Sequence, residues 1–187
     1  MRAFVAIELS ERCNRALQEA VEQLSAAVAG VRWVRPGGYH LTLKFIGDLP
    51  EKDLPAAIGA LQEAAAGAEP FVMRVGGLSA FPPKGSPRVI HVLVREETGA
   101  LAALQQGVEE GLLAGLGLSP EARKFTPHVT LGRAKRRFRC PPVAEMAGEL
   151  STEQFGETPA DEMVLMKSDL TPKGAIYSVV ERFPLGQ

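Results

Sequence analysis

The feature that most constrains this chain is a short motif that occurs twice, as His40-Leu41-Thr42-Leu43 and again 88 residues later as His128-Val129-Thr130-Leu131. The surrounding pattern repeats as well, because Val5 precedes His40 by 35 residues and Leu93 precedes His128 by the same 35. A period of 88 is far longer than the unit of a stacked repeat protein. The sequence therefore predicts one internal duplication.

Hydrophobic periodicity predicts an α+β fold in which the order of elements begins again after the first half. Alternating apolar residues indicate strands, and apolar residues at helical spacing indicate helices, the first of them capped by Ser10. The predicted strands cover residues 2–8, 31–34, 39–46, 71–75, 89–94, 128–132, 163–168 and 175–183, and the predicted helices cover 11–28, 54–66 and 98–116. The last two strands form a predicted hairpin around the turn 171–174.

Two segments are expected to be irregular. Residues 76–87 are rich in Gly and Pro, which predicts a connector and a hinge between two lobes. Residues 140–160 show no regular pattern. We expect a single bilobal domain over 1–187, with approximate halves 1–80 and 88–135 and with strands in 163–183 completing the sheets.

Strand geometry predicts which side chains of the repeated motif are presented together. Successive side chains point to opposite faces of a strand, so His40, Thr42 and Lys44 are expected on one face. Leu41, Leu43 and Phe45 are then expected to pack on the other face. His128 and Thr130 are displayed in the same way in the second half. If a pseudo-two-fold axis relates the halves, the two histidines converge across a cleft.

Two converging histidines suit general acid and general base catalysis. An unperturbed imidazole has a pKa of about 6.5, so one copy can be protonated while the other is neutral near pH 7. In-line displacement at phosphorus needs both groups, one to take the proton of the nucleophile and one to protonate the leaving oxygen. Thr42 and Thr130 can donate hydrogen bonds to the phosphoryl oxygens. Lys44 and the basic run 133–139 would attract a polyanion.

Net charge alone does not indicate a nucleic-acid-binding protein, because 21 Lys and Arg balance 22 Asp and Glu. The local distribution does, since residues 123–139 contain seven basic residues and no acid, and residues 31–47 contain three basic residues and no acid. Both windows surround the repeated motif. No apolar stretch approaches the roughly 20 residues of a membrane span. The short N-terminal apolar run alternates like a strand, and we predict a cytoplasmic protein.

Other chemistries find less support in the sequence. A metal site at His40 and His128 lacks a third ligand, so no metal is predicted. No nucleophile elbow is present, and Cys13 falls in a predicted helix. His91 alternates with apolar residues and is interpreted as a core or cleft-wall histidine. Nucleotide-binding loops are missing, and we predict no cofactor and no obligate protein partner.

Paired His-x-Thr motifs on a duplicated α+β chain resemble the 2H phosphoesterase superfamily, and within it the RNA 2',3'-cyclic phosphodiesterases, also called 2'-5' RNA ligases. The resemblance also includes the segments 2–7, 40–47, 81–89, 125–133 and 168–177. It implies antiparallel sheets that line a central cleft, with helices outside. It further implies hydrolysis of RNA 2',3'-cyclic phosphate ends to 2'-phosphates. The substrate is then RNA or a nucleotide with that end.

The resemblance also implies roles for single residues. His40 would be the proton donor to the departing 3'-oxygen and His128 the proton acceptor, although the residues alone do not distinguish the two. Thr42 and Thr130 would bind the phosphate. Expected substrate-binding residues are Lys44, Phe45, Phe125 and Arg133. Arg133 has the opposite parity to His128 and reaches the cleft only if the strand ends or bulges there.

Two alternatives stay open at this point. The same chemistry would serve 2'-5' ligation or another cyclic phosphate, such as a cyclic ADP-ribose derivative. A binding module without catalysis is the alternative from a different class, but recognition alone would not need two proton-transfer groups.

Overall fold

The computed structural model describes residues 1–135, 141, 145, 150, 153–171 and 174–187. This part of the chain contains three α-helices and nine strands. The strands are β1 (Arg2–Glu8), β2 (Val31–Trp33), β3 (His40–Asp48), β4 (Phe71–Phe81), β5 (Val89–Arg95), β6 (His128–Ala134), β7 (Gln154–Ala160), β8 (Glu162–Thr171) and β9 (Gly174–Pro184). The helices are α1 (Glu11–Ala27), α2 (Leu54–Ala66) and α3 (Ala100–Leu116), with a short 3-10 helix at Glu51–Asp53.

All the described strand pairings are antiparallel, and they join the strands into one sheet of order β7-β4-β5-β6-β3-β1-β8-β9, with β2 added on β6. The order is symmetric about the central β3–β6 pair. There Leu41 lies opposite Val129, and these residues occupy the same place in the two copies of the motif. The predicted α+β duplication with a pseudo-two-fold arrangement is confirmed. The exact boundaries of the halves, 1–80 and 88–135, stay a prediction.

A β-bulge occurs at the same place in both copies of the motif. In β3, Val5 pairs with Lys44 and Ala6 pairs with Thr42, which leaves Leu43 without a partner of its own. In β6, Ile90 pairs with Gly132 and His91 pairs with Thr130, which leaves Leu131 unpaired in the same way. A bulge puts two residues opposite one and changes which face the following side chains point to. Strict alternation therefore fails after the fourth residue of each motif.

The three helices cover one face of the sheet, and no described helix covers the other face, which is called the open face below. Helix α1 packs against β2 and β7, while α2 and α3 pack against each other and against β9 and β3. Ser10 caps α1 as predicted, because its side chain accepts a hydrogen bond from the Cys13 backbone N–H. The main core lies between helices and sheet and includes Leu17, Leu41 and Val129. No described helix is long and apolar enough to cross a membrane.

Two expectations about irregular segments are wrong. The connector 76–87 begins inside β4, which runs to Phe81, and it joins β4 to its neighbour β5 in a hairpin with Phe81 opposite Val89. It is a loop within one half-sheet and does not link two lobes. In the segment 140–160, residues 154–160 form β7, which pairs with β4. Pairing with neighbouring strands has stabilised extended structure despite breaker residues. The other predicted elements are confirmed within about three residues at each end.

Gly132 allows β2 to approach β6, and this requirement can be tested. A Cβ atom at Gly132 would lie 2.6 Å from Val31 Cγ1 and 2.8 Å from Trp33 Cε3. We expect Gly132→Ala to lower the free energy of unfolding by about 1–3 kcal/mol, because overpacking forces the neighbouring side chains to move. The matched control is Gly59→Ala on α2, where a Cβ meets nothing within 4 Å and should stabilise the helix by about 0.5–1 kcal/mol.

Urea unfolding of both variants measures the free energy of unfolding, which should fall in Gly132→Ala and rise in Gly59→Ala. A Gly132→Ala protein as stable as the unmodified chain would show that β2 can withdraw from β6 at no cost.

Candidate active site

His40 and His128 both line one cleft on the open face of the sheet. The Nδ1 atom of His40 lies 2.9 Å from the Gly38 carbonyl oxygen, and that of His128 lies 2.7 Å from the Thr126 carbonyl oxygen. A carbonyl oxygen only accepts a hydrogen bond, so Nδ1 carries the proton in both rings. The Nε2 atom is then the nitrogen that can accept or deliver a proton in each half.

The central strand pair brings the motif threonines next to the histidines. Thr42 and Thr130 line the same cleft. Leu41 lies opposite Val129, so the two motifs meet at the centre of the sheet with their histidines and threonines on either side of that pair. The structure brings together all four residues that the repeated motif identified.

Two aromatic rings hold each histidine. The His40 ring lies 4.8 Å from the Phe4 ring and 5.0 Å from the Tyr177 ring, between centroids. The His128 ring lies 5.1 Å from that of Phe81 and 4.9 Å from that of His91. Such ring pairs fix side-chain orientation at the expected centroid separations. Strand alternation at the two motifs gave no indication of Phe4, Phe81 or Tyr177 as neighbours, since they come from β1, β4 and β9.

His91 lies on β5 opposite Thr130, and its ring contacts that of His128. It is buried and stacks on Phe81 with 4.2 Å between ring centroids, so its interpretation as a core or cleft-wall histidine agrees with its position. Burial and the neighbouring His128 lower the pKa of His91 to about 4, against the opposing effect of the Val89 carbonyl. His91 is therefore neutral at pH 7.

Burial also keeps the two motif histidines neutral at pH 7. It lowers the pKa of His40 to about 4, with smaller contributions in the same direction from Arg133 and His128. Glu8, across from His40 in the β1–β3 pairing, opposes this shift. Burial and Arg133 lower the pKa of His128 as well, while its hydrogen bond with Thr126 opposes the shift. An anion bound between the rings would raise both pKa values, since it favours the charged form.

The bulges decide where the other predicted residues lie. Lys44 turns to the helix side and is buried, so the expectation that it shares a face with His40 is wrong. Its Nζ atom lies 2.7 Å from Glu109 Oε2 on α3 and donates a hydrogen bond of 2.9 Å to the Ser119 carbonyl. Phe45, which was expected to pack with Leu41, instead turns to the cleft with 56% of its surface exposed.

The second bulge acts in the same way on β6. Gly132 lies against Val31 and Trp33, and Arg133 lines the cleft. The bulge is thus the irregularity that Arg133 needed in order to reach the cleft.

Phe125 does not line the cleft and packs against the main core. Of the basic run, residues 136–139 lie outside the described residues, and Lys135 is exposed. Arg2, Arg32 and Arg35 are further cleft-lining residues. The site prediction did not name them.

The geometry can therefore hold an anion between two neutral imidazoles and two hydroxyls, with a guanidinium beside them. Such a site can take a proton on one side of a bound phosphate and return one on the other side. Hydroxyl and guanidinium donors stabilise charge on the phosphate oxygens. No group of three or more His, Cys, Asp or Glu that could hold a metal ion occurs among the residues that the structure describes.

The buried pair of Lys44 and Glu109 generates a stability prediction. We expect Lys44→Met to lower the free energy of unfolding by about 3–5 kcal/mol, because it leaves the Glu109 carboxylate buried without its cation. The double variant Lys44→Met/Glu109→Leu should recover much of that loss, since it removes both buried charges. Urea unfolding of the single and double variants measures the difference.

The matched control is Arg74→Met, which removes a cation whose two partners, Glu97 and Glu157, are exposed. Exposed ion pairs of this kind contribute little to the free energy of unfolding. If Lys44→Met cost no more than Arg74→Met, the buried pair would not be a stabilising tie between β3 and α3.

Comparison with known proteins gives consistent matches over almost the whole chain. A family model described as LigT like Phosphoesterase matches twice, over residues 7–91 and 92–177. The RNA 2',3'-cyclic phosphodiesterase of Archaeoglobus fulgidus is 37% identical over 183 residues, which cover 98% of this chain and 99% of that protein. The RNA 2',3'-cyclic phosphodiesterase of Aquifex aeolicus is 35% identical over 187 residues, which cover 100% of this chain and 98% of that protein.

Solved structures show the same architecture. The crystal structure of TT0787 of Thermus thermophilus superposes with a TM-score of 0.83 at 34% identity and covers 100% of this chain and 98% of that chain. The structure of E. coli LigT complexed with 3'-AMP gives a TM-score of 0.78 at 21% identity with the same coverage, which is a likeness of fold. The two matches of the family model agree with the duplication seen in the sheet.

Proposed function

The chain belongs to the family of LigT-like phosphoesterases, and we propose on that basis that it hydrolyses the 2',3'-cyclic phosphate at the end of an RNA strand to a 2'-phosphate. The observation that carries the proposal is the pair of His-x-Thr motifs across β3 and β6 in one cleft. The relatives from Archaeoglobus fulgidus and Aquifex aeolicus carry the name RNA 2',3'-cyclic phosphodiesterase. We propose that the activity is cytoplasmic because its substrate is RNA.

In the proposed reaction, His128 Nε2 takes a proton from water as the water oxygen forms a bond to phosphorus. The bond from phosphorus to the 3'-oxygen breaks, and His40 donates its Nε2 proton to that oxygen. The products are a 2'-phosphate and a 3'-hydroxyl. Afterwards His40 is neutral and His128 is protonated, and a proton exchange with solvent restores the starting state. Thr42, Thr130 and Arg133 would stabilise the charge on the non-bridging oxygens.

The assignment of His40 as the proton donor comes from the family resemblance; Glu8 acts in the same direction, although burial outweighs it and Glu8 is also paired with Arg182. Glu8 is the one carboxylate among the described residues whose charge raises the pKa of either motif histidine, and it acts on His40. A carboxylate favours the protonated imidazole, which is the form that a general acid needs. Arg133 lowers the pKa of both rings and therefore does not indicate which histidine is the acid.

Joining to a second strand would use the same residues. A 5'-hydroxyl of that strand would take the place of water, His128 would accept its proton, and His40 would protonate the departing 3'-oxygen, which leaves a 2'-5' linkage. We therefore propose ligation as a secondary activity at high strand concentration.

The test of the proposed function is incubation of EDTA-treated protein with 2',3'-cyclic AMP, 2',3'-cyclic GMP and an oligonucleotide that ends in a cyclic phosphate. We expect the 2'-phosphate as product, resolved chromatographically from the 3'-phosphate. His40→Ala and His128→Ala should each lower kcat by about 100-fold or more, because each removes one proton transfer.

Binding of the product 2'-phosphate is the control for these two variants. Catalytic histidines predict that binding persists while turnover collapses. Loss of binding in parallel with turnover would favour a receptor, and no turnover of any of the three substrates by the unmodified protein would contradict the proposal.

The pH dependence of kcat/KM follows from the lowered histidine pKa values. This parameter reports the free enzyme, in which one histidine must be protonated and the other neutral. Activity is therefore lost at low pH as the base gains a proton, and at high pH as the acid loses one. Because both pKa values lie below 6.5, we expect a bell-shaped profile with its maximum below pH 6.5.

Steady-state kinetics in buffers of constant ionic strength measure this profile. Proton NMR titration of the ring signals of His40 and His128 gives the two pKa values independently. Values at or above 6.5 for both rings would contradict the prediction.

A further inference from the structure

A pair of arginines faces the cleft from neighbouring strands. Arg32 on β2 lies directly opposite Arg133 on β6 in the antiparallel register, and both side chains line the cleft. Like charges directly opposite on neighbouring strands are destabilising. Neither arginine forms an ion pair with any residue that the structure describes. The two cations are thus held together without a protein anion between them, an arrangement that favours an anionic ligand.

The two arginines are not equivalent in their relation to the histidines. Arg133 lowers the pKa of both His40 and His128, whereas Arg32 is not among the charges that shift either value. Strand β2 pairs with β6 over residues 132–134, beyond the end of the motif and on the same edge of β6 as β3, because β5 occupies the other edge. Arg32 therefore approaches the cleft from a different strand than Arg133. A cyclic phosphate carries a single negative charge, which one guanidinium, that of Arg133, can match.

The opposite side of the cleft has a different chemistry. Beyond the β3–β6 pair it presents exposed apolar side chains from β3 and the β8–β9 hairpin, together with half-buried Tyr177. The exposed residues are Phe45, Leu170 and Ile176. No Asp or Glu lines the cleft in the part of the chain that the structure describes. A base can stack on an aromatic and apolar wall of this kind, while phosphates are held by arginines.

We propose that Arg32 forms a second phosphate subsite, which binds the phosphate on the 5'-oxygen of the terminal nucleotide. This inference rests on the proposed function and names its preferred substrates: oligonucleotides and 5'-phosphorylated nucleotides should bind more tightly than nucleoside 2',3'-cyclic phosphates. A cyclic phosphate ends its strand on the 3' side, so the only other phosphates of the substrate lie on the 5' side. The cleft volume of about 720 Å³ leaves room for a whole nucleotide.

The test compares two products that differ only in the 5'-phosphate, adenosine 2'-phosphate and adenosine 2',5'-bisphosphate. Trp33 is the single tryptophan of the chain and lines the cleft next to Arg32, so its fluorescence can report binding. We expect the bisphosphate to bind about tenfold more tightly at low salt, because a charge-assisted contact to phosphate is added. The advantage should shrink as salt is raised.

Arg32→Gln should abolish the preference for the bisphosphate and leave the affinity for adenosine 2'-phosphate within about twofold. Arg32→Lys should retain part of the preference, because it keeps the charge but not the bidentate geometry. Arg12→Gln is the matched control, since Arg12 is exposed on α1 and does not line the cleft. It should behave like the unmodified protein.

Equal affinities of the unmodified protein for the two ligands would overturn the inference, as would a preference that survives in Arg32→Gln. Turnover of adenosine 2',3'-cyclic phosphate with and without a 5'-phosphate completes the experiment. If Arg32 controls the binding preference but neither substrate is hydrolysed, the subsite stands and the proposed function fails. If both are hydrolysed equally well by all variants, the function stands and the subsite fails.

Discussion

The pairing of β3 with β6 at Leu41 and Val129 is the interaction on which the cleft depends. These two residues are equivalent positions of the duplicated motif, so the pseudo-two-fold axis passes between them. Their side chains are completely buried on the helix side of the sheet. Because the side chains of a strand alternate between its faces, the neighbouring residues of each motif must emerge on the open side. Burial of two apolar side chains therefore determines where both histidines and both threonines lie.

A duplicated frame needs a source of asymmetry, because the reaction needs an acid on one side and a base on the other. The side chains that follow the equivalent bulges supply one. Two residues after the unpaired leucine, each strand places a side chain in the cleft, and this is Phe45 in the first half and Arg133 in the second. The ring neighbours differ as well, since Phe4 lies beside His40 and His91 lies beside His128. The first half thus contributes apolar surface and the second contributes positive charge.

The repeated motif could be predicted from the sequence because its evidence is local and is present twice. Alternation within four residues is enough to place a histidine and a threonine on one face, and the structure confirms this for both halves. The bulges have no comparable signal, since Leu43 and Lys44 continue an ordinary strand pattern. Lys44 is turned away by a carboxylate from α3 and a carbonyl at Ser119, which are distant in sequence. Only the assembled fold determines the side on which Lys44 lies. The same limit applies to residues 76–81, which contain two glycines in succession yet continue β4, because β5 pairs with this strand as far as Phe81.

Burial and positive charge together make the pKa values of the two motif histidines depend on whether an anion is bound between them. Without substrate, burial and Arg133 lower the pKa of His40 and His128, so both rings are neutral at pH 7. In the proposed mechanism a cyclic phosphate between the rings would bring a negative charge that compensates Arg133 and would raise the pKa of both histidines. Binding would then be coupled to the uptake of a proton. His40, the proposed general acid, would be charged when the anion that uses its proton is in place.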